Sequence, residues 1–245
     1  MRNERHAREI EHHRSIADRA DAIWNWDSPS GRRRARRRAE LFVELAGLAR
    51  GRLALELGCG TGIFLDQVAE SGVALRGIDL SIDLLAHARR RIAARDNVRV
   101  LCGNAERMPF PDREFDAVYG SSVLHHLDLL PALREAHRVL KPGGRVVFAE
   151  PNILNPQVAV MFHLGMTKHY FGVSPDEMAF SRFHARSILR EAGFVGIRVD
   201  PFDFLHPATP ARWLDTVGGL GRRLESVPLV REIAGSLLIQ ASRPE

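Results

Sequence analysis

Residues Leu53 to Gly62, LALELGCGTG, decide the fold. A short apolar run ends in an acid and then meets glycine at every second position, Gly58, Gly60 and Gly62. This reads as a buried parallel strand passing through a tight turn into a helix that begins near Thr61. Glycine suits such a turn because a side chain would forbid the positive-φ backbone or hold a ligand away from the main chain. The spacing is G-x-G-x-G, with Ile63 standing where the third glycine of a dinucleotide-binding G-x-G-x-x-G would fall.

Seventeen residues after Gly62 a second strand, ALRGID, ends at Asp79. An acid at that distance, on the tip of the next strand, is positioned to accept hydrogen bonds from both hydroxyls of a ribose and would repel a 2′-phosphate. The first acid, Glu56, lies inside the glycine motif. A negative charge there opposes a pyrophosphate but attracts the ammonium of an amino acid. The ligand that fits both acids is a nucleoside joined to a cationic amino-acid tail.

Outward from this pair, strands at 52–57, 74–79 and 97–101 alternate with helices at 61–71 and 81–95, a βαβαβ half of a doubly wound sheet. Ser81 is placed to cap the second of these helices, with Leu84, Leu85, Ala88 and Ile92 on one face. The second half reads as a strand at 115–120, a helix at 129–139, a turn at Lys141 to Gly144 and a strand at 145–149. A helix at 185–192, a strand near 194–200 and a last strand at 235–243 complete the pattern. Residues 1–50 form an N-terminal helical cap, with polar helices over 5–22 and 32–48, and residues 51–245 form the main domain. Two segments exceed a minimal fold, 151–182 and 203–230. They carry Met161, Phe162, Met166, Tyr170, Phe171, Met178 and Phe180 in the first and Phe204 and Trp213 in the second. Inserts of this kind at the carboxyl edge of an open sheet build substrate pockets.

The blocks ELGCGTG at 56–62, GIDLS at 77–81, GNAERMPFPDREFDAV at 103–118, SSVLHHL at 121–127 and HRVLKPGGRVVFAEP at 137–151 resemble, in order and spacing, the class I S-adenosylmethionine-dependent methyltransferases of the small-molecule group called type 11. The resemblance spans roughly residues 45 to 200. It implies an α/β, Rossmann-like, doubly wound sheet of seven mostly parallel strands, the last antiparallel and inserted beside the fifth. It also implies S-adenosylmethionine as cofactor, bound by Glu56, Gly58, Cys59, Gly60, Gly62, Asp79, Leu80, Asn104, Ala105 and Ser121. Leu80 would pack on the adenine. Asn104 stands where the family usually has Asp to accept from the adenine amino group, and the Ala105 amide would meet the ring. Asn still accepts through its amide oxygen, but without charge, and Asn is also a turn former. Relatives place an aromatic over the cofactor before the main domain, where this chain has Trp24 and Trp26; the same residues would equally pin the N-terminal helix to the core.

Three residues are candidates for chemistry. His125 and His126 follow the fourth strand where donor and acceptor meet in the resembling enzymes, and either imidazole titrates near working pH. Glu150 ends the fifth strand and would either serve as base or hold the neighbouring loop by hydrogen bonds. No metal site is expected, since His163, His169 and His184 lack the short helical spacings of zinc sites.

Composition narrows the remainder. The chain has 245 residues, 45% of them hydrophobic, which suits one α/β domain with additions. Two cysteines, Cys59 and Cys102, make a disulfide framework improbable and favour a reducing cytoplasm. No apolar run reaches 18 residues and the charged N-terminus is no secretory signal, so no membrane span is expected. The net charge of +5 is carried mostly by arginine, concentrated in GRRRARRRAE. Arginines at 32–38 would encircle a helix, which reads as a solvated face more than as a phosphate-tracking stripe. Nucleic acid is therefore the disfavoured partner and a small, partly hydrophobic or lipid-like metabolite the favoured one. An RNA or DNA methyltransferase and a non-catalytic cofactor-binding partner are the alternatives, and the target atom and oligomeric state are not fixed by the sequence.

Overall fold

The computed structural model describes residues 2–163 and 178–245. Its centre is a seven-stranded sheet in the order β3-β2-β1-β4-β5-β7-β6, built from β1 (Leu53–Leu57), β2 (Ala74–Asp79), β3 (Val98–Cys102), β4 (Phe115–Ser121), β5 (Leu140–Pro151), β6 (Val195–Phe202) and β7 (Ser236–Ser242). β1 pairs in parallel with both β2 and β4, whereas β7 runs antiparallel between β5 and β6. The strand order reverses at β1, so the crevice above its carboxyl end is the topological switch point where ligands bind in such sheets.

Helices cover both faces, which explains why the strands read as continuous apolar runs. Leu55, Leu57, Val118 and Phe148 share one buried cluster with Leu133 and Ala136 of α6 (Leu129–Val139) and Leu189 of α8 (Arg182–Glu191). On the opposite face Ala54, Tyr119 and Val147 pack with Phe42 of α3 (Pro29–Ala46) and Leu65 of α4 (Ile63–Val68), and with Leu85 of α5 (Ile82–Arg91). Phe42 is fully buried, so truncating it to Ala should cost about 3–5 kcal/mol. α3 thus belongs to the same packed layer as the sheet. α1 (Arg2–Ile16) and the short α2 (Ala20–Ile23) lie outside it and are held on α5 by Ala17, Ala20, Leu84 and Trp24.

Local chemistry sets the ends of these elements. Ser28 accepts from the Gly31 amide at 2.9 Å and Pro29 opens α3, while left-handed Gly47 closes it. Ser81 caps α5 as the sequence implies, accepting from the Leu84 amide at 3.3 Å. Several boundaries depart from the sequence reading. α4 begins at Ile63 and not at Thr61, because Gly62 sits at φ 79, a left-handed conformation no helix contains. β5 starts at Leu140, straight off α6; the expected turn at Lys141 to Gly144 is looped out within the strand, between the pairs Phe115/Leu140 and Ala117/Arg145. The N-terminal helix over 5–22 is divided by a 3-10 turn at Ala17–Arg19.

The arginine run is not a solvated face along its whole length. Arg38 is 3% exposed and donates to Ser121 Oγ at 2.7 Å and Ser236 Oγ at 2.8 Å. Arg34 meets Asp203 at 2.8 Å, Arg37 grips Glu225 with both terminal nitrogens at 2.7 and 2.6 Å, and Arg33 meets Asp215 at 2.9 Å. These guanidiniums tie α3 to the segment after β6, which includes α9 (Leu214–Leu224). An all-round distribution of arginine hides this, because sequence does not show which acids lie opposite. Among the described residues no helix is long and apolar enough to cross a membrane. Cys59 is buried and Cys102 exposed, both as free thiols.

Candidate active site

A cavity of about 800 Å³ opens at the carboxyl edge of the sheet, within the range that encloses small ligands and cofactors. The glycine turn forms part of its wall. Gly58 and Gly62 both lie at positive φ, but what they make room for is protein: a Cβ on Gly58 would sit 2.3 Å from Val123, and one on Gly62 would crowd Ala88 at 3.1 Å. Gly58 and Gly60 both border the opening, Gly60 beneath the ring of Trp24, whereas Gly62 is not part of the wall. Cys59 also reaches the wall; burial, with help from Asp79 and Glu56, pushes its thiol well above the usual range and keeps it protonated.

Asp79 is on this wall and nearly buried. Its Oδ2 accepts from the Gly60 amide at 2.8 Å and its Oδ1 from the Ser81 amide at 2.9 Å. Burial raises its pKa against the opposing pull of these two amides and of His126. An ionised carboxylate offers about four acceptor positions, so two remain for a ligand. Leu80, Asn104, Ala105 and Ser121 line the same cavity. The Asn104 side-chain oxygen accepts from the Glu106 amide at 2.8 Å, closing a turn, as Asn does by preference. Glu106 in turn pairs with Arg5 of α1, and Ser121 accepts from Arg38.

Glu56 is not among the residues that form the cavity wall. It points to the opposite side of β1, in register with Tyr119, and is 1% exposed. Burial raises its pKa well above the carboxylate range, and Asp79 adds to the rise while Tyr119 opposes it. The sequence reading of Glu56 as a direct attractor of a ligand ammonium therefore has no contact with the cavity to rest on. Alternation explains this: Leu55 and Leu57 face one helical layer, so Glu56 between them faces the other.

The three candidates for chemistry divide. His125 reaches the cavity from a 3-10 turn, Leu124–His126, that follows β4. Its Nδ1 lies 2.8 Å from Glu150 Oε2, and Glu150 Oε1 accepts from the amides of Val123 at 2.9 Å and Leu124 at 3.0 Å. Glu150 is wholly buried and does not form the cavity wall, so it holds the turn and the ring and does not face a ligand. A ring that donates from Nδ1 to a carboxylate leaves Nε2 as its basic nitrogen. His126 lines the cavity as well, its ring 4.2 Å from that of His125 between centroids, with Nδ1 3.3 Å from Glu9 of α1.

Both tryptophans pack the N-terminal helices onto the main domain, Trp24 against Ala17, Ala20 and Leu84. Trp24 lies over Gly60, whereas Trp26 packs edge-on against Phe64 at 5.4 Å and under Arg38 at 5.3 Å. Both inserts contribute to the wall, the first through Pro151, Val158, Met161 and Phe162 of α7 (Pro156–His163) and its approach, the second through Phe204, Leu205 and Pro207. Trp213 and Met178 are exposed and stand away from it. Met166, His169, Tyr170 and Phe171 lie outside the described residues, as does the side chain of His163.

Two groups of the site escaped the sequence reading. Glu9 and His13 line the cavity from α1; their signal was an acid and a histidine four apart in a helix. Asp203 lines it from the far side and anchors Arg34 and Arg38; only its partners in space identify it. Burial pushes the Asp203 carboxyl up, but Arg34, Arg38 and Arg37 outweigh that and leave it below the ordinary range. Arg38 is lowered to about 10 by burial and by Arg34 beside it.

Comparison with known proteins agrees with this architecture. A family model described as a methyltransferase domain matches residues 55–148. Demethylmenaquinone methyltransferase of Geobacillus kaustophilus is 32% identical over 177 residues, covering 63% of this chain and 76% of that protein. In fold, the chain matches a Thermotoga maritima S-adenosylmethionine-dependent methyltransferase, a possible histamine N-methyltransferase, with TM-score 0.64 and 20% identity over 95% of this chain and 99% of that one. It also matches phosphoethanolamine N-methyltransferase 2 of Haemonchus contortus, solved with S-adenosylhomocysteine and phosphomonomethylethanolamine, with TM-score 0.69 and 18% identity over 96% of this chain and 60% of that one. With the glycine turn at the switch point and 32% identity over 177 residues to the G. kaustophilus methyltransferase, the chain belongs to the class I S-adenosylmethionine-dependent methyltransferases, type 11.

Proposed function

We propose that this enzyme transfers the methyl group of S-adenosylmethionine to a small, partly hydrophobic acceptor bound between α7 and the segment after β6, with His125 as the base where the acceptor must lose a proton. The observation that carries the reading is the position of His125: its ring is held by a buried carboxylate and borders a cavity whose remaining wall is largely apolar, from Met161 and Phe162 to Phe204 and Leu205. The demethylmenaquinone specificity of the G. kaustophilus relative supports an acceptor with apolar bulk. The paired Arg34, Arg37 and Arg38 speak against a nucleic-acid track, since their charge is already matched by Asp203 and Glu225.

The cofactor suits the residues present. Asp79 would take the ribose hydroxyls on its remaining lone pairs, Leu80 and Ala105 would flank the adenine, and the Gly60 backbone under Trp24 would receive the tail. Bound S-adenosylmethionine supplies an electrophilic methyl group, which an acceptor atom takes by in-line displacement. The protein's part is to align the acceptor in a dry pocket, which lowers the barrier by proximity. The proton released by a hydroxyl or carbon acid passes to His125 Nε2, while Glu150 holds the ring in the required tautomer and favours the imidazolium that forms.

The test is turnover of the cofactor to S-adenosylhomocysteine with a panel of hydroquinones, phenols and amines, for the wild type and His125→Gln. An apolar acceptor should be methylated, and the variant should lose roughly 10²–10⁴-fold in kcat, the usual worth of a positioned base. S-adenosylhomocysteine affinity should stay unchanged. Equal kcat in the variant would remove His125 from the chemistry, and methylation confined to RNA would overturn the acceptor class.

A further inference from the structure

Glu9, His13 and His126 converge on the cavity, and the site described above makes no use of that convergence. Glu9 and His13 are four apart on α1, so their side chains leave one face of the helix, one turn from each other. His126 approaches from the turn after β4 that Glu150 pins through two backbone amides. One ligand atom from each residue lies within 4.8 Å of the others. Glu9 Oε2 is 3.3 Å from His126 Nδ1 and 3.9 Å from His13 Nε2. Ligands about 2.0–2.2 Å from a tetrahedral zinc ion stand about 3.3–3.5 Å apart, so small side-chain shifts would bring the three onto one ion.

We infer that Glu9, His13 and His126 bind a divalent transition-metal ion of the zinc kind at the cavity wall. The donor set is chemically selective. Two imidazoles and one carboxylate suit zinc and its first-row neighbours, whereas calcium and magnesium require mostly oxygen. All three residues line the cavity, so a three-ligand site keeps its fourth position open on that side, as zinc sites that take a water or a substrate oxygen do. The ion would fasten α1 to the turn that carries His125 and offer a ligand position to an acceptor bearing an oxygen donor. This goes beyond the methyl-transfer reading, and metal binding is measured without any acceptor.

The experiment is a zinc titration of untagged, chelator-treated full-length protein by calorimetry, beside cobalt(II) substitution read by visible absorption. One equivalent of zinc should bind, and cobalt(II) should give the intense visible band of a four-coordinate site. Glu9→Gln and His13→Ala should each weaken zinc by at least the roughly 10–100-fold that loss of even an outer-shell partner costs. His184→Ala, on α8, should leave zinc binding unchanged. Retained S-adenosylhomocysteine binding in each variant shows that the fold survives. Less than one equivalent, or unchanged zinc affinity in either ligand variant, overturns the site. Absence of the cobalt band in the wild type overturns it regardless of how the variants behave.

Discussion

Asp79 and Asp203 are buried acids on the walls of one cavity, 6% and 5% exposed, and their surroundings treat them in opposite ways. Asp203 faces Arg34, Arg38 and Arg37 and is held below the ordinary carboxylate range although burial pushes it up. Asp79 is met by the amides of Gly60 and Ser81 and by the imidazole of His126, and burial wins. The difference separates structure from function. An acid matched by guanidiniums contributes to the fold, because its charge is already answered. An acid answered mainly by backbone amides, with no guanidinium beside it, keeps acceptor capacity for a ligand and costs the unliganded protein stability. The arginine clamp and the wall proposed for the cofactor thus use the same residue type for different ends.

The clamp should give the largest response. Arg38→Met removes the donor to Ser121 and Ser236 and one of the charges facing Asp203. Breaking a buried pair from one side costs about 3–5 kcal/mol, since the remaining charge is left poorly compensated. Thermal or urea unfolding of the variant should show a loss of that size, with Arg33→Met, whose partner Asp215 is exposed, within about 1 kcal/mol of wild type. Equal small losses in both would mean that the clamp contributes no more than a surface pair.

The cofactor wall should answer in affinity. Asp79→Asn removes the charge from the acceptor proposed for the ribose. At about 1.5–3 kcal/mol for a hydrogen bond to a charged group, S-adenosylhomocysteine should bind roughly tenfold to a hundredfold more weakly in calorimetry. Asp203→Asn should lower stability and leave that affinity close to wild type at temperatures where the variant is folded. If both variants lose affinity alike, the division between the two acids fails.

How far this division was legible in the sequence depends on distance along the chain. The β1 turn and Asp79 could be read because strand, turn and acid follow one another within 27 residues and local periodicity dictates their placement. Seven strands with the last antiparallel beside the fifth followed from the resemblance and match the sheet observed. Motif position suggests that Glu56 attracts a ligand ammonium, whereas the alternation of Leu55, Glu56 and Leu57 turns its side chain toward Tyr119 and away from the cavity wall. The role of Arg34, Arg37 and Arg38 was invisible, since their partners lie 169 and 188 positions away and no periodicity links them. Glu150 and His125, 25 positions apart, were both singled out, yet only the structure turns one into the support of the other.

Acidification gives the smallest and most discriminating response, because it moves the two acids in sequence. The folded pKa of Asp79 is raised, so its ionised form, the one that accepts from a ribose diol, is fully present only above that raised value. Affinity for S-adenosylhomocysteine should decline as pH falls through it, by no more than about tenfold, or 1.36 kcal/mol, per pH unit for a single group. Over the same range the unliganded protein should hold or gain stability, since Asp79 and Glu56 both have raised values and their protonation relieves buried charge. Asp203 behaves in reverse. Its folded value is depressed, so its contribution is complete above the unfolded aspartate value near about 3.9 and is lost as pH falls through the lower folded value. Melting curves with and without S-adenosylhomocysteine from neutral pH downward should therefore converge before either collapses. A ligand-induced increment in melting temperature that stays constant until unfolding would show that Asp79 does not carry the charge on which cofactor binding depends.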